Sequence, residues 1–149
     1  METEVVKAIE KKPRADGQMS GLAAEFFVAA ELLKRGVQTS VTFGNAKAID
    51  LLAVNTETKE HFCVQVKALR AKNYFLLQPE KVKPEHIYVF VLLNKPDVAV
   101  EYFVVPGQEL RTDPLRFDKC FIENVPFSGI YSSSPLLATF KNKWEVFLR

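Results

Sequence analysis

Ala48-Ile49-Asp50-Leu51-Leu52-Ala53 is an apolar run broken by one carboxylate, and after fourteen intervening residues comes Gln65-Val66-Lys67. Both stretches suit strands, over Ala48 to Val54 and His61 to Ala68, with Asn55-Thr56-Glu57-Thr58 between them as turn chemistry. Successive side chains of a strand point to opposite faces, so Gln65 and Lys67 share one face while Val64 and Val66 take the other. If the two strands pair as a hairpin, Asp50 projects beside Gln65 and Lys67. An acid, an amide and an amine then meet among apolar neighbours, which costs free energy unless they pair or bind something.

Upstream, Ser20 offers an N-cap to Gly21-Leu22-Ala23-Ala24-Glu25-Phe26-Phe27-Val28-Ala29-Ala30-Glu31-Leu32-Leu33-Lys34-Arg35. Lys34 and Arg35 suit the last turn, and Gly36 suits the position after it. This helix is apolar nearly all round, so burial against a sheet is expected. Glu25 is then an anomaly, because a carboxylate in such a helix must be paired, protonated or bound. A strand over Val37 to Phe43 and a turn at Gly44-Asn45 precede the Asp50 strand, giving an antiparallel meander of three strands.

Downstream, Asn73 to Gln78 reads as a short strand or extended loop, and Pro79 to His86 as a loop with room for a helical turn. Ile87 to Leu93 reads as a central strand covered on both faces, and Tyr102 to Val105 as another strand ending at Pro106-Gly107. Gln108 to Arg111 suits a short helix, Pro135 to Phe140 is ambiguous, and Lys141 to Leu148 is expected to be a C-terminal helix carrying Trp144, Phe147 and Leu148 inward. Residues 1–17 read as a polar arm and 18–149 as one domain.

The 149 residues are enough to bury a core without staples, and 48% hydrophobic with 26% charged is an ordinary globular balance. A net charge of +2 gives no global footprint for nucleic acid, so any such binding needs a local patch. Two cysteines, Cys63 and Cys120, exclude a disulfide framework and fit no zinc spacing; Cys63 reads as a buried thiol of a reducing compartment. Met1 to Arg14 lacks an apolar signal core, and no apolar stretch approaches a membrane span. A cytoplasmic protein with no membrane partner is expected.

On spacing alone, an Asp50–Lys67 ion pair at a strand end is the commoner arrangement. Gln65, which such a pair does not need, and Glu25 shift the balance towards a site. His61 and His86 read as surface residues rather than ligands. Ser132, Ser133 and Ser134 have no matched His and Asp for a hydrolase triad, and Gly44-Asn45-Ala46-Lys47 is a turn rather than a phosphate loop.

Helix with Glu25, strand with Asp50, then strand with Gln65-x-Lys67: this order resembles the PD-(D/E)XK nuclease superfamily, which includes type II restriction enzymes, archaeal Holliday junction resolvases and Mrr-type restriction proteins. The resemblance covers residues 17–105, with weaker similarity near Trp144, and the stretches around Asp50 and Gln65 also resemble small bacterial proteins of this type. It implies an α/β fold with a restriction endonuclease-like core, a mixed central β-sheet flanked by helices in αβββαβ order. It also implies a metal-dependent DNA endonuclease in which Asp50, Gln65, Lys67 and Glu25 are catalytic. Asp50, Gln65, the Val66 carbonyl and Glu25 would hold Mg²⁺, with Mn²⁺ as a substitute, and Lys67 would orient water and stabilise the attacked phosphate. Arg70, Lys72 and Lys81 follow the motif strand as candidate DNA phosphate contacts, a solvated basic loop being an equal alternative. A homodimer is expected, since two scissile strands need two centres. Two departures stand out: Ile49 replaces the proline of the family's name, and Gln65 replaces the second carboxylate, which lowers the charge holding a cation. A nuclease-fold DNA-binding module without cleavage is therefore the alternative, and a structural protein with an ion pair is the third.

Overall fold

The computed structural model describes residues 13–42 and 49–149; the expected turn at Gly44-Asn45 and most of the N-terminal arm lie outside them. Helix α1 spans Pro13–Lys34, β1 Val37–Val41, β2 Leu51–Asn55, β3 His61–Leu69, β4 Tyr74–Leu76, β5 Ile87–Leu92 and β6 Glu101–Pro106. After these come α2 Gly107–Thr112, β7 Gly129–Tyr131 and α3 Pro135–Ala138, with 3-10 turns at Pro79–Lys81, Pro114–Arg116 and Trp144–Leu148.

One five-stranded sheet runs β1-β2-β3-β5-β6, and β4 pairs with β7 in a second, two-stranded sheet. The first three strands form the expected antiparallel meander, β3 and β5 are parallel, and β6 returns antiparallel to β5. The sheet is thus mixed. Its one parallel join needs a crossover, which is supplied by β4 and the 3-10 turn at Pro79–Lys81. All six residues of β5 are buried, as the unbroken apolar run requires of a strand covered on both faces.

The two faces carry separate cores. Towards α1 lie Ala24, Val28, Ala29 and Leu32 of the helix against Leu51, Val64, Val89 and Val104. On the other face Phe75, Tyr88, Phe90, Phe103, Phe117 and Phe121 pack together, with Ile130 and Leu137 closing the layer. Residues after α2, among them Phe117, Phe121, Ile130 and Leu137, therefore supply much of the second cover of the sheet.

Three expectations need correction. Helix α1 starts at Pro13, whose fixed φ suits a first turn, and runs through Gly17 and Ser20. Ser20 is no cap: its hydroxyl accepts a hydrogen bond from Arg70 Nε at 2.6 Å. The same helix is not buried all round. Met19, Leu22, Phe26, Phe27 and Leu33 are exposed, because the sheet covers one side only. Finally, the C-terminal segment is a 3-10 turn rather than an α-helix. Lys141 bridges to Phe103, Asn142 N–H donates to Tyr102 C=O at 2.9 Å, and Asn142 adopts φ 56°, so the backbone there is committed to β6. Trp144 and Phe147 still pack inward, with the Arg35 guanidinium 4.8 Å from the Trp144 ring, while Leu148 is exposed.

Candidate active site

Pairing of β2 with β3 begins at Leu51 opposite Val64, and Asp50 N–H donates to Val64 C=O at 3.0 Å. Alternate residues of a strand turn their N–H and C=O to the same edge, so Val66 presents both groups towards β2 as well. The chain bends at Asp50, and among the described residues Val66 has no strand partner in β2. The Asp50 carboxylate takes that place, its Oδ2 accepting the Val66 N–H at 2.8 Å. The Asp50 carbonyl is itself held by the Thr42 amide at 2.9 Å and the Thr42 hydroxyl at 3.1 Å. Asp50 is thereby fixed where two strands part, beside a main-chain carbonyl, that of Val66, which points past the end of β2.

Glu25 approaches from α1. Its carboxyl is pushed above the ordinary glutamate value of 4.5, first by burial and then by the like charge of Asp50. The Glu25 and Asp50 carboxylates thus lie within reach of each other's charge beside the β2–β3 pair.

Gln65 lies opposite Tyr88 in the parallel β3–β5 register. Its Nε2 is 2.9 Å from His86 Nδ1 and donates to Tyr88 Oη at 3.1 Å. With His86 Nδ1 accepting, both amide hydrogens are engaged, and Oε1 has no partner among the described residues. Tyr88 Oη also accepts the Lys83 N–H at 2.8 Å. Burial pushes the Tyr88 phenol up, as does the nearby Glu85 charge, while the Lys83 and Gln65 hydrogen bonds oppose this only in part. The phenol therefore stays neutral and keeps holding the amide. The sequence missed this support. His86, expected at the surface, is only 8% exposed, because it enters a strand covered on both faces.

Asp50 and Lys67 form no ion pair; the pairs among the described residues are Arg35–Glu31, Lys141–Glu101 and Lys143–Glu145. Lys67 instead lines a cleft of about 520 Å³ together with Gln65, Lys81 and Lys83. Lys83 had no signal in the sequence beyond its charge. Arg70 and Lys72 lie elsewhere: Arg70 binds Ser20, and the Lys72 charge acts on Glu101 at the start of β6. Among the described residues no three His, Cys, Asp or Glu come together for a metal. The oxygen donors fall in two groups: Asp50 and Glu25 act on each other near the Val66 amide, while Gln65 lines the cleft with Lys67 and neither carboxylate does.

No protein-family model matches the chain, and no curated protein matches it. Among solved structures, a bacterial homing endonuclease is similar over 88% of this chain and 92% of its own, with a TM-score of 0.55 at 13% identity. The Holliday junction resolvase Hjc of Archaeoglobus fulgidus is similar over 59% of this chain and 73% of its own, with a TM-score of 0.43 at 20% identity. The chain has the restriction endonuclease-like α/β fold, a mixed five-stranded sheet between two layers.

Proposed function

We propose that the protein is a metal-dependent DNA endonuclease of the PD-(D/E)XK type, with Asp50, Gln65, Lys67 and Glu25 as its catalytic group. One observation carries this reading: Asp50 is tied to the Val66 amide at the strand fork, with the repelled carboxyl of Glu25 close by and the Gln65–Lys67 face of the same strand opening into a lysine-lined cleft. The like charge of Asp50 that helps raise the proton affinity of Glu25 would be relieved by a cation. The donor set suits a hard divalent ion such as Mg²⁺ or Mn²⁺, since Asp50, Glu25, Gln65 Oε1 and the Val66 carbonyl all offer oxygen. Bound there, such an ion supplies positive charge to a phosphodiester and makes a bound water acidic at neutral pH.

The chain's own groups do the rest. Asp50 holds position by its bond to Val66, and Gln65 by its bonds to His86 and Tyr88. Lys67 places an ammonium where charge grows on the attacked phosphate. A water oxygen forms the new P–O bond and the bridging P–O bond breaks, leaving one phosphate and one hydroxyl end. Lys81 and Lys83 suit the flanking phosphates; Arg70 and Lys72 are left for DNA outside the cleft. A homodimer fits the exposed apolar flank of α1, where Met19, Ala23, Phe26, Ala30 and Leu33 recur at heptad spacing. A cytoplasmic setting agrees with two free cysteines, Cys63 being half-buried rather than enclosed.

The test is incubation with plasmid, branched and single-stranded DNA in Mg²⁺ or Mn²⁺, beside Asp50→Ala and Lys67→Ala. Cleavage that disappears in both variants supports the proposal; cleavage that persists in either rejects the assignment of that residue. The amide at position 65 favours a second reading, a DNA-binding module without cleavage. Salt-sensitive binding with no cut product, unchanged in the variants, would select it.

A further inference from the structure

The loop before β7 carries a feature that cleavage chemistry does not use. Phe127 is the most exposed large apolar side chain described, at 77%. A lone exposed aromatic is ordinary, but this one lines the cleft that holds Gln65 and Lys67, together with Leu76 and Pro126. Leu76 is exposed as well.

The loop that presents Phe127 is tied down on both sides. Ser128 is buried; its hydroxyl accepts the Ile122 N–H at 3.0 Å and its carbonyl accepts the Leu77 N–H at 3.0 Å. Gln78 Nε2 donates to the Val125 carbonyl at 3.3 Å, and Asn124 N–H reaches the Glu80 carboxylate at 3.3 Å. Gly129 packs so closely that a Cβ there would lie 2.6 Å from the Phe75 carbonyl oxygen. The aromatic therefore stands on a braced support, and little freedom is left to lose when a flat group settles on it.

The rest of the cleft says what that group is attached to. Lys67, Lys81 and Lys83 line it, and no carboxylate does among the described residues. Apolar surface beside three ammonium groups matches a nucleotide, with a flat base and an anionic phosphate on either side. The volume of about 520 Å³ suits one such unit. Inside a duplex the face of a base is covered by its neighbours, so an aromatic can meet it only after the base has left the stack.

We infer that the cleft takes an unpaired nucleotide stacked on Phe127, so that the substrate is DNA with a single-stranded element, a free strand or a flap, next to the phosphate to be cut. This inference rests on the proposed nuclease reading and narrows its substrate.

The experiment is fluorescence anisotropy in EDTA, where binding is read without cleavage, using a labelled single strand, the fully paired duplex of the same sequence, and that duplex with a single-stranded flap. The full-length protein is expected to prefer the single strand and the flap. Phe127→Ala should weaken both by about 5- to 150-fold, the range of one aromatic–base stack, and leave the duplex unchanged. Phe127→Trp should restore binding, and Lys81→Ala should weaken all three substrates alike. Equal affinity for all three, or equal losses on all three in Phe127→Ala, overturns the inference and leaves the nuclease proposal standing. No binding to any of them at low salt overturns both.

Discussion

Removing one oxygen from the core should separate the job of holding the fold from the job of aiming Gln65. Tyr88 is fully buried, and its Oη accepts from Lys83 N–H and Gln65 Nε2. Tyr88→Phe keeps the ring and strands both donors. Lys83 is an exposed residue whose N–H can find water, so one unsatisfied donor remains, at about 1–3 kcal/mol. That is the loss expected in urea unfolding. The second effect is on cation binding. With only His86 Nδ1 left to hold it, the Gln65 amide can rotate and turn its nitrogen where its oxygen was. Loss of such an outer partner typically weakens metal affinity by about 10- to 100-fold. Mn²⁺ titration followed by electron paramagnetic resonance, at a urea-free temperature where the variant is fully folded, reads this directly. Tyr102→Phe is the control: that phenol is also buried and pushed up to about 12, but it sits by Trp144 and away from Gln65. It should leave Mn²⁺ affinity alone. If Tyr88→Phe loses stability while its Mn²⁺ affinity matches the parent's, the amide oxygen at position 65 is not a ligand and the proposed donor set is wrong.

Other outcomes follow from the same geometry. Asp50→Asn keeps an acceptor for Val66 N–H and removes the charge, so stability should change by less than about 1.5 kcal/mol while Mn²⁺ binding and cleavage are lost; both are read on one preparation. Glu25 has a carboxyl raised above its ordinary value, so the native state holds that proton more tightly than the unfolded chain. Its contribution to stability is then present below the ordinary glutamate range and falls as pH rises through the raised value. Glu25→Gln should flatten that part of the melting-temperature profile and shrink the stabilisation that added Mn²⁺ gives. Gly107→Ala would put a Cβ 2.0 Å from the Lys83 carbonyl oxygen, and backbone must shift to admit it. A loss of about 1–3 kcal/mol is expected in urea unfolding, with cleavage reduced beyond what stability explains.

The sheet was legible in the sequence because its signals are local. The meander announced itself by alternation and short turns, and β5 by an unbroken apolar run. The stop of α1 was equally plain, at Gly36 with φ 82°. Its start was not: Ser20 has the chemistry of a cap, but Arg70, fifty residues on, takes its hydroxyl. The candidate site divides the same way. Asp50, Gln65 and Lys67 stood out as polar groups in apolar strands, and Glu25 as a carboxylate in an apolar helix. Tyr88, His86 and Lys83 did not, because Tyr88 meets Gln65 through the parallel register of β3 and β5, His86 bonds the same amide from just before β5, and Lys83 bonds Tyr88, none of which a local pattern encodes. Phe127 lay in a stretch of turns where nothing periodic reveals which side chain ends up on the rim.

Gly107 has a wider meaning than its own strain. Its N–H holds the His86 carbonyl at 2.8 Å, and its bare Cα lets the 83–86 segment settle against the start of α2. That segment presents both the histidine behind Gln65 and the lysine of the cleft. The placement of Gln65 and Lys83 is therefore set partly from the rear, by main chain lying on main chain, at a position outside the lining of the cleft. Variants that retune this protein should arise there as well as around the mouth of the cleft, and a survey confined to cleft-facing side chains would pass over them.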